Sequence, residues 1–276
     1  MKLNIVPARA GVQWVRAGVQ IFWRQPLAFV ALFFLFTLVT SVTNLVPVVG
    51  EALTLVLLPA ATVGFMAATE HVQAGRYPLP TVLAAGFRRG AHNARAMLLL
   101  GVLLAACAEL IGVLIGLVDG GRLAQFQASH KNLTLADLMQ NADTQAAFMA
   151  AALPPFAAGA LLWLPVSALF WHAPALVHWH GVPPVKSLFF SAVAVFKNTR
   201  AFLLYGAAWL LIILTINMAI SLLTLATRTP AVLYALAPIW LMVMTTMLTS
   251  MWFIFRDSFT PDTPAPDTAP PPAAES

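Results

Sequence analysis

Charge is what this chain has least of. Only 9% of its 276 residues are Asp, Glu, Lys or Arg, against 60% hydrophobic. A soluble domain carries about 25% charged residues, so too few polar groups are present to cover a globule of this size in water. Cysteine is reduced to Cys107, which excludes an internal disulfide. There is no HExxH pattern, no serine in a GxSxG setting and no nucleic-acid-binding motif. No catalytic residue, cofactor or nucleic-acid partner is therefore expected. The strand alternation of a membrane β-barrel is also missing.

What is present is a set of long apolar runs. Each run of about 20 residues is long enough to cross about 30 Å of hydrocarbon. They are read at Pro26–Leu45, Glu51–Thr69, Ala96–Val118, Ala152–Val177, Ala201–Ala226 and Pro230–Phe255. The expected class is an all-α polytopic membrane protein with six transmembrane helices.

Basic, half-polar segments precede alternate runs. In residues 1–25, Gln13, Arg16, Gln20 and Arg24 recur on one helical face, and Val12, Val15, Val19 and Phe22 on another. That pattern predicts an amphipathic helix in the headgroup layer, anchored by Trp14 and Trp23. No small-residue cleavage pattern follows, so the segment is expected to be retained rather than removed as a signal peptide. A second such helix is expected over Thr81–Arg95 and a third over Val185–Arg200. Lys and Arg are divided unequally: twelve of the 15, Arg76 among them, lie in residues 1–25, 70–95 and 178–200 and at Arg256, leaving Arg122, Lys131 and Arg228 for the other side. The positive-inside rule then places both termini in the cytoplasm.

One nine-residue stretch occurs twice. Asn93-Ala94-Arg95-Ala96-Met97-Leu98-Leu99-Leu100-Gly101 returns, 105 residues later, as Asn198-Thr199-Arg200-Ala201-Phe202-Leu203-Leu204-Tyr205-Gly206, with six positions identical. At a separation of 106, Pro59 pairs with Pro165, Gly75 with Gly181 and Pro78 with Pro184. At 173, Trp23-Arg24-Gln25 aligns with Phe196-Lys197-Asn198, and Asn44 with Asn217. The pattern predicts three hairpins, each preceded by an interfacial amphipathic helix, related by a pseudo-threefold parallel repeat about an axis along the membrane normal. The units are 1–75, 76–181 and 182–256 of a single membrane domain. The stretch 257–276, with six prolines and four acids, is expected to be a disordered tail. Between the third and fourth runs, Thr134 and Asp137 resemble a capping box starting a short helix with Leu135, Leu138 and Met139 inward.

Few residues carry chemistry. Glu109 stands about 20 Å along its helix, past mid-depth, beside a seam of small residues, Gly101, Ala105, Ala108, Gly112 and Gly116. Such a seam permits close helix contact, so Glu109 is expected to face the bundle, either as a proton-responsive site or as a protonated partner of a neighbouring helix. Asn44 and Asn217 are the other intramembrane polar residues of interest. Glu70, His71, His92, His172, His178 and His180 raise the question of zinc. However, His178 and His180 point in nearly opposite directions on a helix, and no metal site is expected. Arg88, Arg95, Lys197 and Arg200 are the candidate contacts for lipid phosphate, since Arg forms bidentate bonds to phosphate. The competing role for these residues is topology alone.

With Val6-Pro7-Ala8-Arg9-Ala10-Gly11, Trp14, Gly18, Phe22 and Pro26, and then Leu58-Pro59, Gly64-Phe65-Met66 and Ala85-Gly86-Phe87-Arg88, the chain resembles a family of proteobacterial six-span inner-membrane proteins of uncharacterised activity. More loosely, its layout is similar to the membrane domain fused to some glycerophosphodiester phosphodiesterases, without their catalytic domain. Neither resemblance implies an activity. The expectation is a non-enzymatic protein that handles a lipid or other amphipathic molecule at the cytoplasmic leaflet, with membrane lipids as partners. The alternatives are an assembly factor of the cell envelope, meeting proteins through its amphipathic helices and tail, and a membrane enzyme using the His/Glu cluster.

Overall fold

The structure, a computed structural model, describes residues 1–47, 49–130, 141–227, 229 and 236–260. The order of elements is β1 (Lys2–Leu3), α1 (Ala10–Arg24), α2 (Pro26–Thr43), α3 (Gly50–Gln73), a 3-10 helix (Pro80–Phe87), α4 (Ala91–Asp119), α5 (Arg122–Ser129), α6 (Ala142–Phe170), α7 (Ala173–His180), α8 (Pro184–Lys197), α9 (Thr199–Thr227), α10 (Leu236–Ser258) and β2 (Phe259–Thr260). Among the described residues six helical stretches are long and apolar enough to cross a membrane. They coincide with the six apolar runs of the sequence. The protein is an all-α polytopic membrane protein.

Local chemistry sets the boundaries. Pro26 and Pro184 open α2 and α8, where a missing N–H costs nothing. The Asn141 side chain caps α6 by accepting from the N–H groups of Asp143 and Thr144. Gly181, at φ +62°, ends α7 in the left-handed turn that a glycine makes without strain. The α2–α3 corner is tight: a Cβ at Gly50 would lie 2.5 Å from the Thr43 carbonyl oxygen, and the hydroxyls of Thr43 and Thr54 share a hydrogen bond of 2.8 Å.

The three basic segments differ from one another. α1 is not a free-standing amphipathic helix. It packs between α9 and α10, burying Trp14 to 1% exposure and leaving Trp23 60% exposed. The cause is a face of small residues. A Cβ at Gly11 would sit 2.1 Å from the Ala201 carbonyl oxygen, and one at Gly18 would sit 2.8 Å from Ser250 Cβ. Backbones therefore meet directly, and Trp14 turns inward, where its Nε1–H donates to Asp257 Oδ2 at 2.9 Å.

The second segment is not one α-helix over Thr81–Arg95. It is the 3-10 helix, then a break at Arg88–Gly90, then the start of α4. Pro78 and Pro80 precede it, and Gly90 takes φ +90° at the turn into α4. The narrow 3-10 helix crosses α3 at close range: a Cβ at Gly64 would lie 2.6 Å from Leu83 Cα, and one at Gly86 would lie 2.8 Å from Ala60 Cα. The third segment, α8, is continuous and packs on α6 and α7. Its Ser191 hydroxyl enters the break between those two helices, donating to the Ala168 carbonyl and accepting from the His172 N–H, each at 2.8 Å. These two groups would bond each other in an unbroken helix, so the hydroxyl bridges the interrupted ladder. The three segments therefore pack on different partners, the 3-10 helix on α3, α8 on α6 and α7, and α1 on α9 and α10.

The two ends of the chain meet. Lys2 and Leu3 pair antiparallel with Thr260 and Phe259. Asn198, buried at the α8–α9 junction, accepts from the Val6 N–H at 2.8 Å and donates to the Asn4 carbonyl at 3.1 Å. Asp257–Thr260, expected in the disordered tail, therefore belong to the fold, because Phe259 is buried and Asp257 holds Trp14. The rest of the tail and the Thr134–Asp137 capping box lie outside the described residues.

Candidate functional site

At the end of the bundle that carries both chain ends, the C-terminus of α3, the turn after it, the 3-10 helix and α7 enclose a cavity of about 600 Å³. Its apolar floor includes Ala67, Val82 and Ala85. Arg76, Arg88 and Arg89 supply three guanidiniums at its rim, all on exposed residues. Tyr77 and Trp179 add aromatic surface, and His71 and His178 add imidazoles. The one carboxylate in the lining is Glu70.

The backbone explains this gathering. Gly75 ends α3 at φ +74°, and the Arg76 N–H returns to the His71 carbonyl at 2.8 Å, which turns Arg76 back over the cavity. The break at Arg88–Gly90 brings two adjacent arginines to the opposite wall. Arg89 Nη1 donates to the His178 carbonyl and so fixes that guanidinium, while its other donors stay free of hydrogen bonds among the described residues. His178 Nδ1 is buried without a hydrogen-bond partner. A second cavity, of about 190 Å³, lies beyond the same contact and is lined by Arg89, His92, Asn93, His178, Gly181 and Val182.

Of the four arginines and lysines expected to contact phosphate, the structure brings Arg88 into the cavity. Arg95, Lys197 and Arg200 are exposed and outside its lining, at the start of α4, the end of α8 and the start of α9. Arg76 was counted for topology alone, yet it lines the cavity. Its signal in the sequence was the break from Gly75 to Pro80 directly after Glu70-His71. Glu70, His71 and His178 do share the cavity, but no group of three His, Cys, Asp or Glu among the described residues is placed to hold a metal ion.

Glu109 does not face the bundle. It is exposed, and a Cβ at Gly112 or Gly116 would meet nothing within 4 Å. α4 packs through Met97, Leu100, Gly101, Leu104 and Ile111, and the small-residue seam leaves that stripe after Ala105. Asn44 is exposed at the end of α2, where Oδ1 accepts from the Thr54 hydroxyl at 3.3 Å. Asn217 is exposed on α9 and donates to the Ile213 carbonyl of its own helix at 2.8 Å.

The chain is 36% identical over 261 residues to a probable inner membrane protein of Burkholderia thailandensis, covering 94% of each sequence. Comparisons with protein-family models and with solved structures find no match. Likeness along nearly the whole length, together with six apolar helices, settles the relationship. The chain belongs to the same family of multi-pass inner membrane proteins as that Burkholderia relative.

Proposed function

We propose that the protein holds the phosphate-bearing headgroup of a membrane lipid at the cytoplasmic leaflet, without catalysing a reaction on it. The observation that carries this reading is the convergence of Arg76, Arg88 and Arg89 on one cavity at the basic end of the bundle. A guanidinium binds phosphate through two parallel N–H···O bonds. The apolar floor continues into helices whose outer faces are exposed and apolar, so a bound headgroup would keep its acyl chains in hydrocarbon. The division of Lys and Arg supports a cytoplasmic position for this end and for both termini. Arg95, Lys197 and Arg200 extend a basic rim that attracts anionic lipid to the same surface.

Native mass spectrometry of the full-length protein, purified in mild detergent and exposed to phospholipid, tests the reading. Arg76→Lys with Arg88→Lys keeps the charge and removes both forks. Phospholipid retention is expected to fall several-fold; unchanged retention would overturn the assignment.

One observation favours the assembly-factor reading instead: Glu109, Gly112 and Gly116 share an open face of α4. A carboxylate exposed to lipid is costly, and a protein partner would relieve that cost. If Glu109→Leu abolishes a stable assembly seen by mass photometry, that reading takes precedence.

A further inference from the structure

We propose that the cavity selects a zwitterionic headgroup, a phosphate bearing a primary ammonium on a short arm, as in phosphoethanolamine: Arg76, Arg88 and Arg89 take the phosphate and Glu70 takes the ammonium. This rests on the lipid reading above and narrows it.

The argument begins with where Glu70 stands. It lies in the last turn of α3, which ends at Gln73. The helix dipole presents its negative end there, so a carboxylate is disfavoured and a cation favoured. Three guanidiniums line the same cavity, yet Glu70 forms no ion pair or hydrogen bond with any of them among the described residues. It is partly buried, and so is partly removed from water. An acid at the wrong end of a helix, unpaired in a cavity of arginines, breaks a local rule without a local gain. Such breaks mark functional positions.

A ligand resolves the conflict if it carries both signs. A purely anionic headgroup would meet the arginines but leave Glu70 repelling it. An ammonium beside Glu70 gains the carboxylate and the helix dipole together, while its phosphate reaches the opposite wall. A primary ammonium fits better than a quaternary one. It can donate hydrogen bonds to the carboxylate, whereas a quaternary group needs an aromatic cage. The lining offers only Tyr77 and Trp179, and Tyr77 is exposed.

The test uses full-length protein in mixed micelles with equal amounts of phosphatidylethanolamine, phosphatidylglycerol and phosphatidylcholine, with retained lipid read by native mass spectrometry. Wild type is expected to prefer phosphatidylethanolamine. Glu70→Gln is expected to lose about tenfold of that retention, the effect of one hydrogen bond to a charged group, with phosphatidylglycerol unchanged. Glu70→Asp should restore part of the preference, and it serves in place of Glu70→Gln if the latter fails to fold. Arg88→Gln should lower all three lipids together. If wild type retains phosphatidylglycerol as well as phosphatidylethanolamine while Arg88→Gln still lowers both, the zwitterion assignment is overturned and the lipid reading stands. If no lipid is retained by any variant, both fall. Millimolar glycerophosphoethanolamine is expected not to displace the lipid; full displacement would overturn the membrane as the source of the headgroup.

Discussion

The stretches Asn93–Gly101 and Asn198–Gly206 share six of nine residues, yet they sit in different surroundings. Gly101 is pressed against α3, where an added Cβ would lie 2.0 Å from the Val56 carbonyl oxygen; at Gly206 an added Cβ meets nothing within 4 Å. The difference extends along both helices. Of the most apolar stretch of α4, which carries the first copy, 28% is buried, against 6% of that of α9. The asparagines differ too. Asn93 donates to the Gly86 carbonyl within its own segment, whereas Asn198 holds the distant N-terminal chain at Asn4 and Val6. Similar sequence therefore starts both helices at the basic end, but the first copy is locked through its own Gly101 against α3, and the second through Ala201 and Tyr205 against Gly11 of α1. The cavity follows the same contrast. Arg89 lies in a broken segment and lines it, while Ala194, 105 residues on, is fully buried in a continuous helix.

The sharpest break of this comparison is glycine to alanine at both sites. Gly101→Ala forces a methyl group into the backbone of α3 and should cost about 3 kcal/mol, since neither helix can yield locally. Gly206→Ala should be neutral or stabilising by up to about 1 kcal/mol, because alanine is the better helix former. Thermal unfolding in detergent distinguishes them; equal losses would mean that α9 also packs closely on its Gly206 face. Truncation comes next. Removing 261–276 should leave stability within about 0.5 kcal/mol, as surface changes do. Ending the chain at Arg256 should cost about 2 kcal/mol, since it exposes the ground under Phe259 and strands the Trp14 indole. Asn198→Ala should then cost about 1.5 kcal/mol and speed amide exchange over residues 2–6, with a smaller loss for Asn93→Ala. Equal exchange in wild type and Asn198→Ala would show that the N-terminal chain is held by β2 alone.

Much of the architecture was legible in the sequence. The six spans were readable because apolar runs of that length have one stable use, and Pro26 and Gly181 mark the start of the first and the end of the fourth. The buried faces were not readable. In a membrane, lipid-facing and protein-facing residues are both apolar, so periodicity does not separate them. That is why Trp14 was assigned to the interface and Glu109 to the bundle. The better signal was close-packed glycine, as at Gly11, Gly18 and Gly64, but Gly112 and Gly116, four apart on one face of α4, meet nothing within 4 Å among the described residues. Of the two arginines at the cavity, Arg88 is among the residues the sequence singles out for phosphate and Arg76 is not. What unites them is the geometry of two breaks, after Gln73 and before Ala91, and spacing in the sequence does not encode the angle of a turn.

The smallest expected effect concerns the arginines of the two copies themselves. Arg95 and Arg200 hold equal positions, each two residues after its asparagine, and both are exposed outside the cavity. Arg88 lines the cavity. A residue that only attracts anionic lipid acts as a point charge, and lysine replaces it. A residue that grips phosphate in a cavity needs the planar fork. Arg88→Lys should therefore weaken phospholipid retention by about 1 kcal/mol, the scale of one basic contact at a charged membrane surface. Arg95→Lys and Arg200→Lys should each cost less, and equally, since nothing in their surroundings distinguishes a fork from a point charge. All three variants keep the count of positive charges and so should keep topology. Lipid retention by native mass spectrometry, with reporter fusions after Ser276 as the topology control, reads both quantities. A larger loss at Arg95 or Arg200 than at Arg88 would move the phosphate site from the cavity to the rim and make the two copies functionally alike.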